Sequence, residues 1–423
     1  MLMGTAMTFD DLGLAPDLVR ATADQGYTTP TPIQAQAVPL VLDGRDVLAA
    51  AQTGTGKTGA FALPLLQRLA FVGKPRPKQV RALVLTPTRE LALQVHESAR
   101  AYAKYLELSC EVVFGGVKLT PQIRALAPGV DLLVATPGRL LDLSDQGLLH
   151  FDDLEVLVLD EADRMLDMGF IHDLRRIVSR LPKNRQTLMF SATFSADIRR
   201  LAGRYLDDPV QVQVAAENAT ADRVEQRAYH VDRDQKTPLL LHLLRQQQWH
   251  RALVFVRTKH GANRLSRRLE SEGIKSAPIH GNKSQNARQR ALEEFKGGHL
   301  QVLVATDIAA RGLDIDQLPD VVNYDLPAVA EDYVHRIGRT GRAGAAGRSH
   351  SLVTPEDEAL LRGIERLTGQ RIPPAAVPGF TRAAPEVRAK ESPRPRRRRR
   401  RSRAARSSDD RSTPLPDHRC LSA

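Results

Sequence analysis

The sequence predicts an α/β protein of two tandem doubly wound parallel-sheet domains with a disordered basic C-terminal tail. Three observations lead there. Short apolar, β-branched runs recur, each ending in Thr, Asp, Gly or Pro and each followed by a longer amphipathic stretch, as buried parallel strands alternating with helices would. A polar stretch near residues 215–227 interrupts the pattern, which then restarts. At 423 residues the chain is also too long for one ordinary domain of about 150 residues.

The runs of the first half are Asp46–Ala50, Ala82–Leu85, Asp131–Val134, Val156–Leu159 and Thr187–Phe190; those of the second are Ala252–Val256, Gln301–Val304 and Val321–Tyr324. Two doubly wound sheets accommodate both series. Leu133-Val-Ala-Thr136 is echoed by Leu303-Val-Ala-Thr306, which puts a threonine at the end of a strand in each half. Taken by itself this echo reads as chance, because all four residue types are common. From about Pro373, prolines, serines and arginines replace the periodic pattern, and Arg396–Arg401 is an unbroken arginine run. Such a segment cannot bury a core, so residues 373–423 are expected to be disordered.

Composition narrows the function classes. Residues 381–423 hold 14 Lys and Arg against five Asp and Glu, so most of the +12 net charge is a tail. A near-neutral body with a basic appendage suits a polyanion binder whose body works through shaped sites rather than a bulk field. Aromatic residues are only 4%, which leaves few platforms for base stacking and favours a grip on the sugar-phosphate backbone. No run approaches the ~20 apolar residues of a membrane span, and Met1–Thr8 lacks the basic-then-apolar pattern of a secretion signal. Cys110 and Cys420 are too few and too distant for a disulfide framework or a metal cluster. A cytoplasmic setting with no membrane partner is expected.

The strongest local motif is Ala51-Gln52-Thr53-Gly54-Thr55-Gly56-Lys57-Thr58, which follows a strand-like run and opens a segment with helical spacing. In that context it fits a phosphate-binding loop. Gly54 and Gly56 allow backbone N–H groups to turn inward around phosphate oxygens, Lys57 can neutralise the β and γ groups, and the Thr58 hydroxyl can bind Mg²⁺. Ala51 stands where the general pattern has its first glycine, so a plain Gly-rich turn is the competing reading.

Asp160-Glu161-Ala162-Asp163 directly follows Val156–Leu159, which sets adjacent carboxylates at the carboxyl end of a buried strand, where α/β sheets bind ligands. Asp160 suits a Mg²⁺ held through water, and Glu161 suits orienting or deprotonating the attacking water. An acidic surface turn is the bland alternative. In His335-Arg-Ile-Gly-Arg339-Thr-Gly-Arg342, the two arginines three apart face one way if the turn is helical. The second half has no phosphate loop, so these arginines are expected to reach the ATP of the first half and stabilise charge on the γ-phosphoryl group. A solvated basic turn is the alternative.

These motifs, in this order from Phe9 to about Phe380, resemble the DEAD-box RNA helicases, with phrasing at Lys259–Asn263 and Gly281–Gln285 most similar to the bacterial RhlE subgroup. The resemblance implies two tandem RecA-like domains, ATP and Mg²⁺ as cofactors, and RNA, single-stranded or short duplex with little sequence preference, as partner. It divides the chain into an adenine-reading Q motif (8–36), an ATP-binding domain (37–214), a C-terminal helicase domain (225–372) and the tail (373–423). Within Gly26–Gln34 it implies that Gln34 hydrogen-bonds adenine while Tyr27 packs on its ring, with Phe9 at the upstream aromatic position. RNA contacts are implied for Pro87, Thr88, Arg89, Gly115, Gly116, Thr136, Gly138 and Arg139 in the first half, and for Thr258, Gln285, Arg288 and Thr306 in the second. Their hydroxyl, backbone N–H and guanidinium donors bind phosphate without reading a base.

The resemblance further implies nucleotide contact at Asp314. It makes Ser191-Ala-Thr193 a coupling element, hydrogen-bonded from its hydroxyls to the Asp163 region, with His335 also in a coupling role and Asp307 ordering Arg339. Ribosomal and mRNA-decay assemblies are the candidate settings. The Arg-rich tail would tether RNA without sequence preference, against the alternative that it only solvates the chain. Two rival functions are an ATP-binding RNA scaffold that hardly turns ATP over, disfavoured by Lys57, Glu161, Arg339 and Arg342, and a DNA-translocating helicase on the same fold.

Overall fold

In the computed structural model, every strand of both sheets pairs in parallel. The structure describes residues 7–51, 54–71, 73–192, 194–214, 224–310, 315, 318–340 and 347–380. The disorder expected from 373 does not begin there: the Ala228 N–H donates to the Pro373 carbonyl, the Ala375 N–H donates to the Ala228 carbonyl, and Ala375, Val377 and Phe380 pack against the second half's core; residues 381–423 lie outside the described residues.

The first sheet comprises β1 (Val47–Ala50), β2 (Val80–Leu85), β3 (Cys110–Val113), β4 (Val130–Ala135), β5 (Val156–Leu159), β6 (Gln186–Ser191) and β7 (Val210–Gln213), in the order β3-β4-β2-β5-β6-β1-β7. The second comprises β8 (Val224–His230), β9 (Ala252–Phe255), β10 (Ser276–Ile279), β11 (Val302–Ala305), β12 (Asp320–Asn323) and β13 (Gly347–Val353), in the order β10-β11-β9-β12-β13-β8. Each sheet draws all its strands from one half of the chain.

Alternate residues of each central strand feed two different cores, which is why these strands read as continuous apolar runs. Val84, Val134, Val158 and Phe190 belong to one face of the first sheet, and Leu83, Leu133, Leu157 and Met189 to the other. In the second sheet Val254 and Val304 face one core while Leu253 and Leu303 face the other.

Helices cover both faces. Those of the first half are α1 (Pro16–Asp24), α2 (Pro32–Leu42), α3 (Lys57–Ala70), α4 (Arg89–Tyr102), α5 (Leu119–Leu126), α6 (Pro137–Asp145), α7 (Ala162–Asp167), α8 (Ile171–Val178) and α9 (Ala196–Tyr205). The second half has α10 (Lys236–Gln246), α11 (Lys259–Ser271), α12 (Gln285–Lys296), α13 (Asp307–Ala310), α14 (Ala330–Ile337) and α15 (Glu358–Thr368). Among the described residues no helix is long and apolar enough to cross a membrane.

Two readings of the sequence change here. The polar stretch at 215–227 is partly strand, because β8 starts at Val224 and pairs with β13 along its whole length. The four-residue echo is not idle either. β4 and β11 occupy equivalent places, each between an edge strand and the strand that pairs with the sheet centre (β3-β4-β2-β5 against β10-β11-β9-β12), so Thr136 and Thr306 sit at matching positions.

Candidate active site and nucleic-acid interface

The carboxyl ends of the first sheet's strands converge on one edge, and strand order decides what meets there. β6 lies between β1 and β5, so its end separates the glycine-rich loop from the acidic tetrapeptide. It also joins them: the Ala51 N–H donates to the Ser191 carbonyl at 3.0 Å, and the Ala192 N–H donates to Asp163 Oδ2 at 2.9 Å. Within the expected coupling element Ser191-Ala-Thr193, the Ala192 main-chain amide thus reaches Asp163. Thr193 lies outside the described residues, as do Gln52 and Thr53.

Helix α3 starts at Lys57 on a left-handed Gly56 (φ 93°), which turns the chain so that the helix's first amides face the loop. Thr58 occupies its first turn, half-buried. Lys57 is buried near the Asp160 and Glu161 carboxylates with its Nζ making no hydrogen bond, which leaves its three donors for a bound phosphate. Gln34 is held by both ends: Oε1 accepts from the Thr31 N–H at 2.9 Å, capping α2, and Nε2 donates to the Gly56 carbonyl at 3.1 Å. It ties the start of α2 to the phosphate loop. Tyr27 is half exposed and free to cover a flat ligand, whereas Phe9 is packed in the core and supports that region from beneath.

Gly56 has no room for a side chain, because a Cβ would lie 2.7 Å from both Gln34 Nε2 and Thr31 Oγ1. Gly56→Ala is expected to weaken nucleotide binding roughly tenfold or more, given a strain of order 1–3 kcal/mol for a non-glycine in this conformation. Titration with a fluorescent ATP analogue measures it, and unchanged affinity would show that the loop does not depend on this approach.

Asp160 and Glu161 end β5 deeply buried. Burial drives the Asp160 carboxyl up to about 7, with Lys57 pulling it down and Glu161 pushing it up. Such a carboxylate gains most from a nearby divalent cation. Glu161 itself sits in the left-handed region (φ 52°) and accepts from Arg164 Nη1 at 2.5 Å. Burial opposes its charge, but Arg164, Lys57 and Arg339 outweigh that and hold it below the usual carboxylate range.

Among the described residues no group of three or more His, Cys, Asp or Glu could hold a metal unaided. A Mg²⁺ ion, which keeps several waters and binds through one or two carboxylates plus phosphates, fits Thr58 and Asp160 on those terms.

Arg339 is buried and lines one narrow cavity with Lys57, Glu161, Asp163, Arg164, Ala192 and His335. Residues of both halves thus share the space in front of the phosphate loop. Helix α14 ends at Ile337 and is capped by Gly338, so Arg339 stands just beyond it. Arg342 and Asp314 lie outside the described residues. Asp307 does not order Arg339 as expected. It holds Arg336 in a bidentate pair, Oδ1 accepting from Nε at 2.6 Å and Oδ2 from Nη2 at 2.8 Å, while Arg336 Nη1 donates to Asn323 and to the Asp325 carbonyl and the guanidinium stacks over Phe255.

The expected RNA contacts gather mostly at helix N-termini, where unpaired amides and the helix dipole favour phosphate. Thr88 caps α4, accepting from Leu91; Thr258 caps α11, accepting from Gly261; Thr136 precedes α6. A cleft of about 490 Å³ is lined by Pro87, Thr88, Arg89, Gly115, Thr136, Gly138 and Arg139 from the first half and by Gly281, Arg288 and Ile308 from the second. Gly116 (φ 81°) stands against Arg89, whose guanidinium occupies the space a Cβ would need. Thr306 is buried at the end of β11.

Gln285 and Arg288 are nearly buried, because both donate to Glu90 of the first half, at 3.0 and 2.9 Å. Glu90 was not singled out from the sequence, although it stands in the middle of Pro87–Leu91. Arg336 was missed as well; it shares a buried face of α14 with Tyr333 and Ile337.

Comparison with known families settles the kinship. Residues 31–201 match the DEAD/DEAH box helicase family and residues 235–344 match the helicase conserved C-terminal domain. The chain belongs to the DEAD-box helicases. It is 45% identical to the RNA helicase CrhR of Synechocystis over 88% of this chain and 75% of that one, and 44% identical to the ATP-dependent RNA helicase RhlB of Pseudomonas syringae over 86% and 93%. It spans 61% of the ATP-dependent RNA helicase DeaD of Haemophilus influenzae at 43% identity. Yeast Dbp5 bound to RNA and ADP with beryllium fluoride superposes on this helicase with a TM-score of 0.76 at 33% identity, over 86% of this chain and 95% of that one. These likenesses establish the family; they do not single out the RhlE subgroup.

Proposed function

We propose that this helicase is an RNA-stimulated ATPase that locally unwinds short RNA duplexes or remodels RNA–protein complexes, with ATP hydrolysed between its two halves. The observation that carries this reading is the cavity in which Arg339 of the second half meets Lys57 and Glu161 of the first. We take residues 37–214 as the ATP-binding domain and 225–372 as its partner, with 8–36 reading adenine.

Each half supplies what the other lacks. Lys57 and the first amides of α3 hold the terminal phosphates, Gln34 and Tyr27 face the base, and Glu161 takes the proton of the attacking water. Thr58 and Asp160 would hold a Mg²⁺ ion, which would neutralise charge on the phosphates of bound ATP; water attacks the γ-phosphorus as its bond to the leaving ADP oxygen breaks. Arg339 places its charge beside the departing phosphoryl group only when the halves are together, so a strand lying across Thr88, Thr136 and Thr306 and drawing both halves in promotes turnover. At roughly 1.4 kcal/mol per base-pair step, one ATP offsets only a few pairs. Phosphate and ribose contacts of this kind recognise RNA by its backbone geometry and 2′-hydroxyls. A cytoplasmic setting, the ribosomal or mRNA-decay context and RNA tethering by the basic tail belong to the same reading.

Phosphate release is expected to rise on adding single-stranded RNA and to rise little with DNA of equal length. Equal stimulation by DNA would overturn the substrate, and no stimulation by either would favour the scaffold.

A further inference from the structure

An open groove of about 820 Å³ runs along the outer face of α15 and is bounded by the turn that carries Gln370 and Arg371. Ala359, Arg362 and Arg366 line it at the spacing that puts residues on one side of a helix. Helix α15 follows β13 and turns back along the sheet, so Gln370 stands beside Gln226, near the start of β8, which runs parallel to β13. The RNA cleft and the ATP cavity lie at the other ends of the strands. The groove is separate from both.

Its charge is unanswered. Other surface arginines are paired, Arg180 with Asp145 and Arg245 with Glu272 among them. Arg362, Arg366 and Arg371 meet no carboxylate among the described residues, and Glu365, which also lines the groove, spends Oε1 on the Ile372 N–H at 3.0 Å. Arg366 Nε donates to the Arg362 carbonyl at 3.3 Å, which lays its guanidinium along the helix and leaves the Nη donors to a ligand. Three guanidinium groups gathered without a counter-charge repel one another, and an anionic ligand relieves that. The turn is fixed in advance, because Gln370 Oε1 accepts from Gln226 Nε2 at 3.3 Å and Gln226 Oε1 accepts from the Tyr333 hydroxyl of α14 at 2.9 Å. Leu367, next to Arg366, is 46% exposed. A chain of phosphates gains nothing from an exposed leucine, whereas a protein segment that covers it while pairing carboxylates with arginines gains from both.

We propose that this face of α15 is a docking groove for an acidic segment of a partner protein, whose carboxylates are taken by Arg362, Arg366 and Arg371 and whose apolar side chains cover Leu367. Docking there touches no residue assigned to ATP or to the bound strand.

The test titrates the full chain with a fluorescently labelled amphipathic peptide that carries glutamates on one face and leucines beside them. Combining Arg362→Glu, Arg366→Glu and Arg371→Glu is expected to weaken binding about tenfold or more, since each carboxylate then meets a like charge, while ATP turnover stimulated by single-stranded RNA stays near the wild-type level and shows that the variant is folded. Leu367→Ser, which keeps every charge, is expected to weaken binding roughly fivefold through lost apolar cover. The Arg-rich tail is the same in every variant, so equal peptide affinities, or none in the wild type, overturn the proposal. Full affinity in Leu367→Ser also overturns it, by reducing the attraction to a diffuse field. A labelled RNA duplex is titrated in parallel, and if its affinity falls with the charge reversal while the peptide's does not, the groove takes nucleic acid and the proposal fails.

Discussion

Arg339→Ala is expected to lower RNA-stimulated ATP turnover by about 10³ to 10⁵, the range associated with an arginine that stabilises charge on a transferring phosphoryl group. The side chain stands in the cavity shared with Lys57 and Glu161, and its charge helps keep Glu161 ionised despite burial. Its backbone does separate work, donating to the Arg336 carbonyl and accepting from the Leu318 N–H. Alanine leaves those contacts in place, so the fold around α14 should survive and ATP should still bind to the first half. Arg339→Lys is expected to recover only part of the loss, because an ammonium cannot present two parallel donors. Steady-state phosphate release at saturating ATP and RNA checks this, and a loss smaller than about tenfold would exclude the charge-stabilising role.

Glu161→Gln should slow hydrolysis by about 10² to 10⁴, the usual worth of a positioned general base, while ATP and RNA remain bound. Glutamine keeps the shape and an oxygen for Arg164 Nη1 to bond, so the effect isolates the loss of a proton acceptor. Because the halves would then stay together on unspent ATP, release of RNA should slow in step with hydrolysis. Single-turnover hydrolysis and RNA dissociation measured side by side test both parts. Normal hydrolysis would remove Glu161 from the chemistry, and fast RNA release from a blocked enzyme would break the link between turnover and grip.

Much of this was legible in the sequence because chemistry and burial leave local marks. The central strands announced themselves as β-branched runs filling two cores at once, and Gly56-Lys57 and Asp160-Glu161 each fall where such a run ends. The strands not read in advance include all four sheet edges, β3, β7, β8 and β10. An edge strand buries less and needs less apolar length, so Val210–Gln213 and Ser276–Ile279 look like loop.

Pairings were harder still. Nothing local says that Asp307 takes Arg336 rather than Arg339, since the choice depends on where α14 stops, although Gly338 was a visible stop signal. Glu90 lies 195 residues from Gln285, and the Ala192 amide that meets Asp163 carries no side-chain signature at all. The tail, and with it any use of Arg396–Arg401, rests on composition alone.

The carboxylate of Glu90, reached from across the divide by Gln285 and Arg288, has a consequence for how the halves come together. A charged pair withdrawn from water gives little net adhesion, since dehydration consumes most of the attraction. Its use is alignment: a wrong angle of approach strands a bare anion facing no cation, so misdocked arrangements are rejected while the correct one is only modestly favoured. A joint of that kind can be exact about orientation and still come apart after every cycle.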